Sequence, residues 1–554
     1  MFKTDGSLKP GQDFVFTVGG RLVKVTPIGA VCHDPTYDET KCAELQASWD
    51  NVATHYESTS SLMTSYSTGE TCDPFTPRES PCTMGNYSAY TIDAVTTSDI
   101  IAGLSFARAT NIRLVIRNTA HDFWGRSAGH GSLAVRMARF KSYEVLPEYR
   151  GDAHYYSGPA FKMGAGLLGF EAQAALEPHG LVMVAGYCPS VGPAGGYVQG
   201  GGHSPLSGHF GMAADQTLEY EVVTAAGSLV KASRTENSDL FFALNGGGAG
   251  NWAIVVSMTV RVYPMLPMTA AQLFIPRDAV AAATATGNST VEEEEEEDKF
   301  WAMVDKFYSL IPALTAQGVY ITYAFGPQHF GFFPLSAYNR TKAEVEAMLR
   351  PFTEYLDSQG IVPALFTITE SPSYSQHVAQ SFAASQPTKE WPSGGRMIPT
   401  ELLLDPARRA QLVAVMRRIV GAGALTSSTS VSPLDRVGNP TSLNPAWRQS
   451  SALVIMTWPW ENGQKEKMRG KVDMFARELS PLLIQVAPES GSYSNEADIF
   501  MPEWQWELYG EHWERLSRIK RAWDPEGLFY SAHTPGAERY HIDDAGRLCE
   551  GAAW

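Results

Sequence analysis

The sequence predicts an α+β protein built from two or three packed units, and three observations carry that expectation. The chain has 554 residues, more than the roughly 100–200 that one core usually organises. Its early part alternates helical and strand-like stretches and then turns glycine-rich. After Tyr263 the pattern shifts to longer helical segments with strand candidates set among them, which suits an antiparallel sheet covered by helices on one face.

The elements follow in order. Ser98 can cap a helix running through Ile101, Leu104 and Ala107, and 112–116 reads as the strand after it. Stretches 218–223 and 228–232 flank an Ala-Ala-Gly turn as the strands of a hairpin, and a further strand is expected over 252–262. Pro264 and Pro267 end it, so a boundary is placed near Tyr263. Beyond it, Thr341-Lys-Ala-Glu344 forms a capping box and Asp405-Pro406 a helix start. The acidic run 292–298 repels itself and reads as a solvated loop or a frayed helix start. Strands are expected over 452–458 and 493–500, and a last helix over 503–529, ended by Asp524-Pro-Glu-Gly527.

Composition excludes some partners. Lys and Arg number 43 against 59 Asp and Glu, a net charge of −16 that repels phosphate backbones and anionic lipid surfaces, so neither nucleic acid nor membrane is expected. Cys32 and Cys42, and Cys72 and Cys82, share a ten-residue spacing and read as two local disulfides. With the sequons at Asn86, Asn288 and Asn339 they point to a secreted glycoprotein, whose leader would have been removed ahead of Met1.

Several segments carry chemistry. Gly164-Ala-Gly166-Leu-Leu-Gly169 matches a dinucleotide fingerprint, but the acidic residue that a Rossmann site wants about 20 positions later is absent. A better phosphate loop is 117–129, which follows a strand and offers consecutive amides, a hydroxyl and a cation; a polar surface loop is the competing reading. Seven glycines between 186 and 202 hold backbone close to something flat or tightly packed. Cys188 within them could instead pair with Cys549 or be a buried, inert thiol. A third cluster, 246–250, leads into a strand. His121, Asp122, His130, His203 and His209 keep a metal-dependent hydrolase as a rival, although their spacing matches no tight metal motif and no metal ligand is assigned.

Together with the ending Tyr509-Gly510, Leu516, Ile519-Lys520, Asp524-Pro525 and Leu528-Phe529, these segments closely resemble the berberine bridge enzyme-like oxidases of the vanillyl-alcohol oxidase superfamily, fungal branch, over about 32–548. The resemblance implies a PCMH-type FAD-binding domain in two parts, 1–263 and 495–554, around a substrate domain, 264–494. It implies FAD held by two covalent bonds, from His121 to the 8-methyl carbon of the ring and from Cys188 to C6. An imidazole nitrogen and a thiolate are nucleophiles suited to such additions. Family motifs place Asn118, Thr119, Ala120, Asp122, Gly125, Arg126 and Ser127 on the pyrophosphate. They place Gly192, Gly195, Gly196, Gly200, Gly201, Gly202, His203 and Ile254 along the flavin and its ribityl chain. Ala120 departs from the family's usual glycine before the histidine.

The implied reaction is hydride transfer from a small organic substrate to FAD and on to O2, giving H2O2. Tyr493, with Asn495 and Glu496 beside it, resembles the family's base-bearing strand; a phenol of lowered pKa or a desolvated carboxylate would serve, and Tyr493 is the expected base. The competing readings leave Tyr493 and Asn495 as strand residues with core contacts, and the whole chain as a flavin-binding relative without turnover.

Overall fold

The computed structural model describes residues 18–152, 154–284, 289–382, 390–434, 437–459, 461 and 463–551. The first sheet is made of β1 (Leu22–Lys24), β2 (Tyr90–Asp93), β3 (Leu114–Arg117) and β4 (Leu133–Arg136), in the order β1-β2-β4-β3. β4 runs parallel to both β2 and β3, and the crossover from β2 to β3 is the helix Thr97–Thr110. Its cap is Thr96, two residues ahead of the expected Ser98. The reason is a reciprocal box: Thr96 Oγ1 accepts the Asp99 N–H, while the Asp99 carboxylate accepts the N–H groups of Val95 and Thr96 and pairs with Arg21.

Next along the chain come β5 (Tyr143–Leu146), β6 (Ala160–Gly164), β7 (Leu181–Val182), β8 (Thr217–Val223), β9 (Leu229–Ser233), β10 (Ile254–Arg261) and β11 (Tyr263–Pro264). Five of them form an antiparallel sheet in the order β5-β6-β10-β8-β9, with β8 and β9 as the expected hairpin. β7 and β11 pair as a two-stranded ribbon. The fingerprint-like glycines serve packing here. A Cβ on Gly164 would overlap the Phe140 carbonyl, and one on Gly166 that of Met137. The helix after them, Gly169–Leu176, has its first amides bonded to the Val191 and Pro189 carbonyls, so its N-terminus is closed to an anion.

The third sheet holds β12 (Met268–Pro276), β13 (Tyr320–Phe325), β14 (His329–Tyr338), β15 (Leu365–Ser371), β16 (Glu390–Pro399), β17 (Leu425–Ser430) and β18 (Ser450–Pro459). Its order is β15-β12-β14-β13-β17-β18-β16, antiparallel throughout. Helices Ser289–Thr315, Lys342–Ser358 and Pro406–Gly421 share one core with it, the last two starting at the expected Thr341 and Asp405 caps. Strand alternation decides which residues reach the other face. Along β18, Ala452, Val454, Met456 and Trp458 join the helix-covered core, while Leu453 and Ile455 pack toward the first two sheets. The acidic run lies within the Ser289–Thr315 helix, where Arg277 pairs with Glu297, and Arg417 with Glu297 and Asp298.

Two expected elements differ. Residues 493–500 are turns, not a strand: the Glu496 N–H returns to the Tyr493 carbonyl and the Asp498 carboxylate accepts the Phe500 N–H. The closing helix is broken into Trp504–Tyr509 and Trp513–Trp523, because Gly510 between them sits at φ 53°.

That closing segment returns to the first sheet. Lys520, buried, donates to the carbonyls of Asn251 (2.8 Å) and Phe529 (2.7 Å) and to Asp524 (2.7 Å), and Phe529 bridges to Leu114. Burial lowers the ammonium's pKa and the Asp524 charge opposes that shift. Lys520→Met should strand the Asp524 charge and cost roughly 3–5 kcal/mol, seen as a lower urea midpoint by tryptophan fluorescence. An unchanged midpoint would show that the clamp contributes little.

Candidate active site

A large cleft is bounded by the loop after β3, the glycine-rich segment 186–199, the start of β10, and the face of β17 and β18 that helices do not cover. The loop owes its shape to Arg117, at the end of β3. Its buried guanidinium is held by the carbonyls of His55, Ser58 and Ser61, and burial lowers its pKa to about 9. Asp122 folds the loop on itself by accepting the N–H groups of Trp124 and Ser127. Ala120 sits at φ 69°, the left-handed region that glycine adopts freely, so the departure at this position carries backbone strain.

At one end of the cleft, His121 Nε2 lies 2.7 Å from Ser190 Oγ and 3.8 Å from Cys188 Sγ. Burial pushes the imidazole down to about 4, which leaves it neutral at pH 7. The disulfides are Cys32–Cys42 and Cys72–Cys82, as expected, and a Cys188–Cys549 bridge is not formed.

Most of the expected cofactor-side residues line the cleft: Asn118, Thr119, Ala120, His121, Asp122, Arg126, Ser127, Cys188, Gly192, Gly195, Gly196 and His203. Others stand behind its wall. Gly125 packs against Ser67. Ile254 alternates with Ala253 and Val255, and it is those two that face the cleft. Gly200, Gly201 and Gly202 lie under the turn 493–496: a Cβ on Gly200 would overlap Asn495, and the Gly202 N–H donates to Tyr493 Oη (3.2 Å).

Tyr493, Asn495 and Glu496 all reach the cleft. Tyr493 differs from the lowered phenol looked for. Burial, and then the Glu496 charge, hold its pKa well above the ordinary value, although its oxygen accepts from Gly202 N and from Asn495 Nδ2 (2.8 Å). His203 turns toward the third sheet, with Nδ1 2.9 Å from Tyr320 Oη and Nε2 3.1 Å from Glu496 Oε1. The histidines of the hydrolase reading diverge. His130 goes to the Gly85 carbonyl, while His121 and His203 take the partners just given; among the described residues no three potential ligands gather around one point.

Sequence reasoning missed Tyr320, Gln199, Met63 and Thr64, and the strand residues Ser427, Thr429, Ile455 and Thr457. Ser427, Thr429 and Thr457 carried one usable signal, hydroxyl side chains on strands inside a buried sheet.

Residues 88–233 match the family described as FAD binding domain, and residues 492–534 match Berberine and berberine like. The chain is 37% identical to FAD-linked oxidoreductase ZEB1 of Gibberella zeae, over 97% of this chain and 92% of that one. It is 35% identical to VAO-type flavoprotein oxidase VAO615 of Thermothelomyces thermophilus, over 96% and 91%. The crystal structure of VAO-type flavoprotein MtVAO615 from Myceliophthora thermophila matches with a TM-score of 0.89 at 33% identity, covering 100% of both chains. This chain belongs to the VAO/BBE family of FAD-linked oxidoreductases.

The first matched region of this FAD-linked oxidoreductase carries the His121 loop and Cys188, and the second carries Tyr493, Glu496 and Lys520. FAD suits the polar pattern of the cleft. Arg126 gives Nε to the Ala532 carbonyl and Nη1 to that of Ser494, while its buried Nη2 has no partner; Asn118 Oδ1 and Gln199 Oε1 are left in the same state. A buried guanidinium nitrogen without an acceptor is costly, and a phosphate oxygen would relieve it.

Proposed function

We propose that this enzyme is an oxidase that carries FAD on two covalent bonds, from His121 and Cys188, and acts on a small organic substrate of alcohol, carbohydrate or amine type. The observation that carries the reading is the meeting of a neutral imidazole and a cysteine sulfur 3.8 Å apart at one end of the cleft. Bound FAD supplies an acceptor for the substrate's hydride and returns the electrons to O2 as H2O2. Arg126, Asn118 and Ser127 hold the pyrophosphate side.

Oxidising a CH–OH carbon also requires that the hydroxyl proton be taken up. The raised phenol of Tyr493 keeps its own hydrogen at neutral pH, which supports a role in donating a hydrogen bond to the substrate oxygen. Glu496 is the better base. It faces the cleft with its side chain 23% exposed, and His203 Nε2 donates to it, which fixes its orientation. Asn495 secures the turn that carries both, through the Gly196 and Tyr197 carbonyls. We also read the chain as a secreted glycoprotein, on the strength of its two disulfides and of exposed Asn86 and Asn339. The sequon at Asn288 lies outside the described residues.

Four outcomes are expected. Acid-precipitated protein should keep its yellow colour, each single variant His121→Ala or Cys188→Ala should keep flavin on the remaining bond, and the double variant should lose it on washing. Colour retained covalently by the double variant would sink the assignment. In an anaerobic screen of alcohols, sugars and amines, a compound that bleaches the flavin should give H2O2 on readmission of air. Glu496→Gln should slow that bleaching by about 10²- to 10⁴-fold at full flavin content, and an unchanged rate would remove Glu496 as base. Protein exported by a eukaryotic host should lose mass on treatment with an N-glycosidase; no change would argue against glycosylation at Asn86 and Asn339.

A further inference from the structure

Val255, near the start of β10, lines the cleft, and the other end of the same strand carries a polar cluster that the oxidase chemistry does not use. Arg261, the last residue of β10, lies roughly 20 Å along the strand from Val255, at about 3.3 Å per residue. It is 8% exposed, and its guanidinium stacks on two rings from the segment joining β5 to β6, 4.6 Å from the centre of Tyr155 and 4.5 Å from that of Tyr156. Arg234, exposed just after β9, approaches the Tyr155 ring at 4.2 Å. Two cations meet on one aromatic ring.

Stacking occupies the face of a guanidinium and leaves its N–H groups, which lie in the plane, to find acceptors elsewhere. In Arg261, Nε and Nη2 are buried and neither has a hydrogen-bond partner among the described residues, the one arginine there for which this holds at two nitrogens. Those two nitrogens form one edge of the guanidinium, the same fork that Arg21 closes on the carboxylate of Asp99. The Tyr155 hydroxyl lies beside both cations: burial raises its pKa, and the charges of Arg261 and Arg234 oppose that rise. Carboxylates on the adjacent strand are committed elsewhere. Glu219, across from Thr259 in the β8–β10 pairing, takes Lys231 and Tyr149, and buried Asp215 takes both terminal nitrogens of Arg448. Arg234 gives Nη1 to the Gly438 carbonyl (3.0 Å) and forms no ion pair among the described residues.

A buried fork without an acceptor is costly, and two cations without a paired acid call for a ligand of matching charge. We propose that this cluster binds a doubly charged tetrahedral oxyanion, phosphate or sulfate, gripped by the Nε and Nη2 edge of Arg261, with Arg234 as the second cation and the Tyr155 hydroxyl as a further donor. Bidentate guanidinium contacts suit phosphoryl and sulfuryl oxygens, and a double negative charge matches the two guanidiniums. The ion joins the loop between β5 and β6 to the ends of β9 and β10, and the Arg234 bond to Gly438 extends that link to the segment after β17. The site lies outside the cleft and takes neither the substrate nor FAD, so it stands apart from the oxidase reading.

The test titrates the flavin-loaded enzyme, in a phosphate-free buffer of low chloride, with inorganic phosphate and with sulfate by calorimetry, and follows phosphate by phosphorus NMR. One site with a Kd of about 1 mM or tighter is expected for each dianion, with the pyrophosphate resonances of the flavin unmoved. Arg261→Lys, which keeps the charge and loses the fork, should weaken phosphate at least about tenfold at unchanged flavin content. Arg234→Gln, a change to an exposed side chain, should weaken it several-fold, which keeps the test valid if the Arg261 variant folds poorly. Glycerol phosphate separates the two sources of the group: binding equal to that of free phosphate assigns the site to a phosphate ester, and a clear preference for free phosphate assigns it to the ion, the same oxyanion chemistry in both cases. Acetate binding as tightly as phosphate would overturn the tetrahedral dianion. The proposal would also fall on unchanged affinity in either variant, on a shift of the flavin's own phosphorus resonances, or on the absence of saturable binding.

Discussion

The fold of this oxidoreductase turns on a strip of backbone in which five of eight residues are glycine. Between Gly195 and Gly202 the glycine-rich segment lies so close to its neighbours that a Cβ on Gly195 would press on Asn118, and one on Gly200 on Asn495. Into the room left, the turn after Gly491 is lowered until Asn495 Nδ2 reaches the carbonyls of Gly196 (3.1 Å) and Tyr197 (3.3 Å), and Arg126 reaches the Ser494 carbonyl (3.2 Å). Three segments far apart in sequence meet there. A side chain at Gly200 would press on Asn495 and lift the turn, so the glycines that shape one wall of the cleft also set the distance between Glu496 and His203.

How much of this could be read in advance depended on whether the signal was local. The β8–β9 hairpin, the β18 strand and the caps at Thr341 and Asp405 are written in alternation and in side chains three or four residues apart, and all four form as expected. The segment 493–500 carries the apolar residues Tyr493, Ala497, Ile499 and Phe500, which favour a buried strand. Its Asn495 and Asp498 bend the backbone instead, because their side chains bond nearby N–H and carbonyl groups in place of a partner strand. The helix expected over 503–529 stops at Gly510, whose left-handed backbone outweighs the apolar period on either side.

The cofactor side of the site was legible because glycine density, a histidine loop and a lone cysteine are unusual in combination. The substrate side was not. Tyr320 is an unremarkable strand tyrosine until its hydroxyl meets His203 from the glycine-rich segment, and nothing in sequence joins two positions 117 residues apart. Tyr493 was the natural candidate for a base, since a phenol can be tuned downward by nearby cations. Here its surroundings act in the opposite direction: the ring is buried and a carboxylate is close, and both favour the protonated form. The same proximity suits a division of labour in which the phenol donates and the carboxylate accepts.

The polar face of the third sheet has a thermodynamic logic of its own. One side of β17 and β18 completes a helix-covered core, and the other must face a cleft that is open to solvent when no substrate is present. A charged residue on that face would need a partner or would lose several kcal/mol of solvation whenever a ligand displaced water. A hydroxyl is satisfied by water, by a neighbour such as Tyr320, or by the ligand, and changes between donor and acceptor by rotating. Serine and threonine therefore let the sheet keep its stability in both states. They leave Glu496, held from outside the sheet by His203, as the carboxylate beside that face.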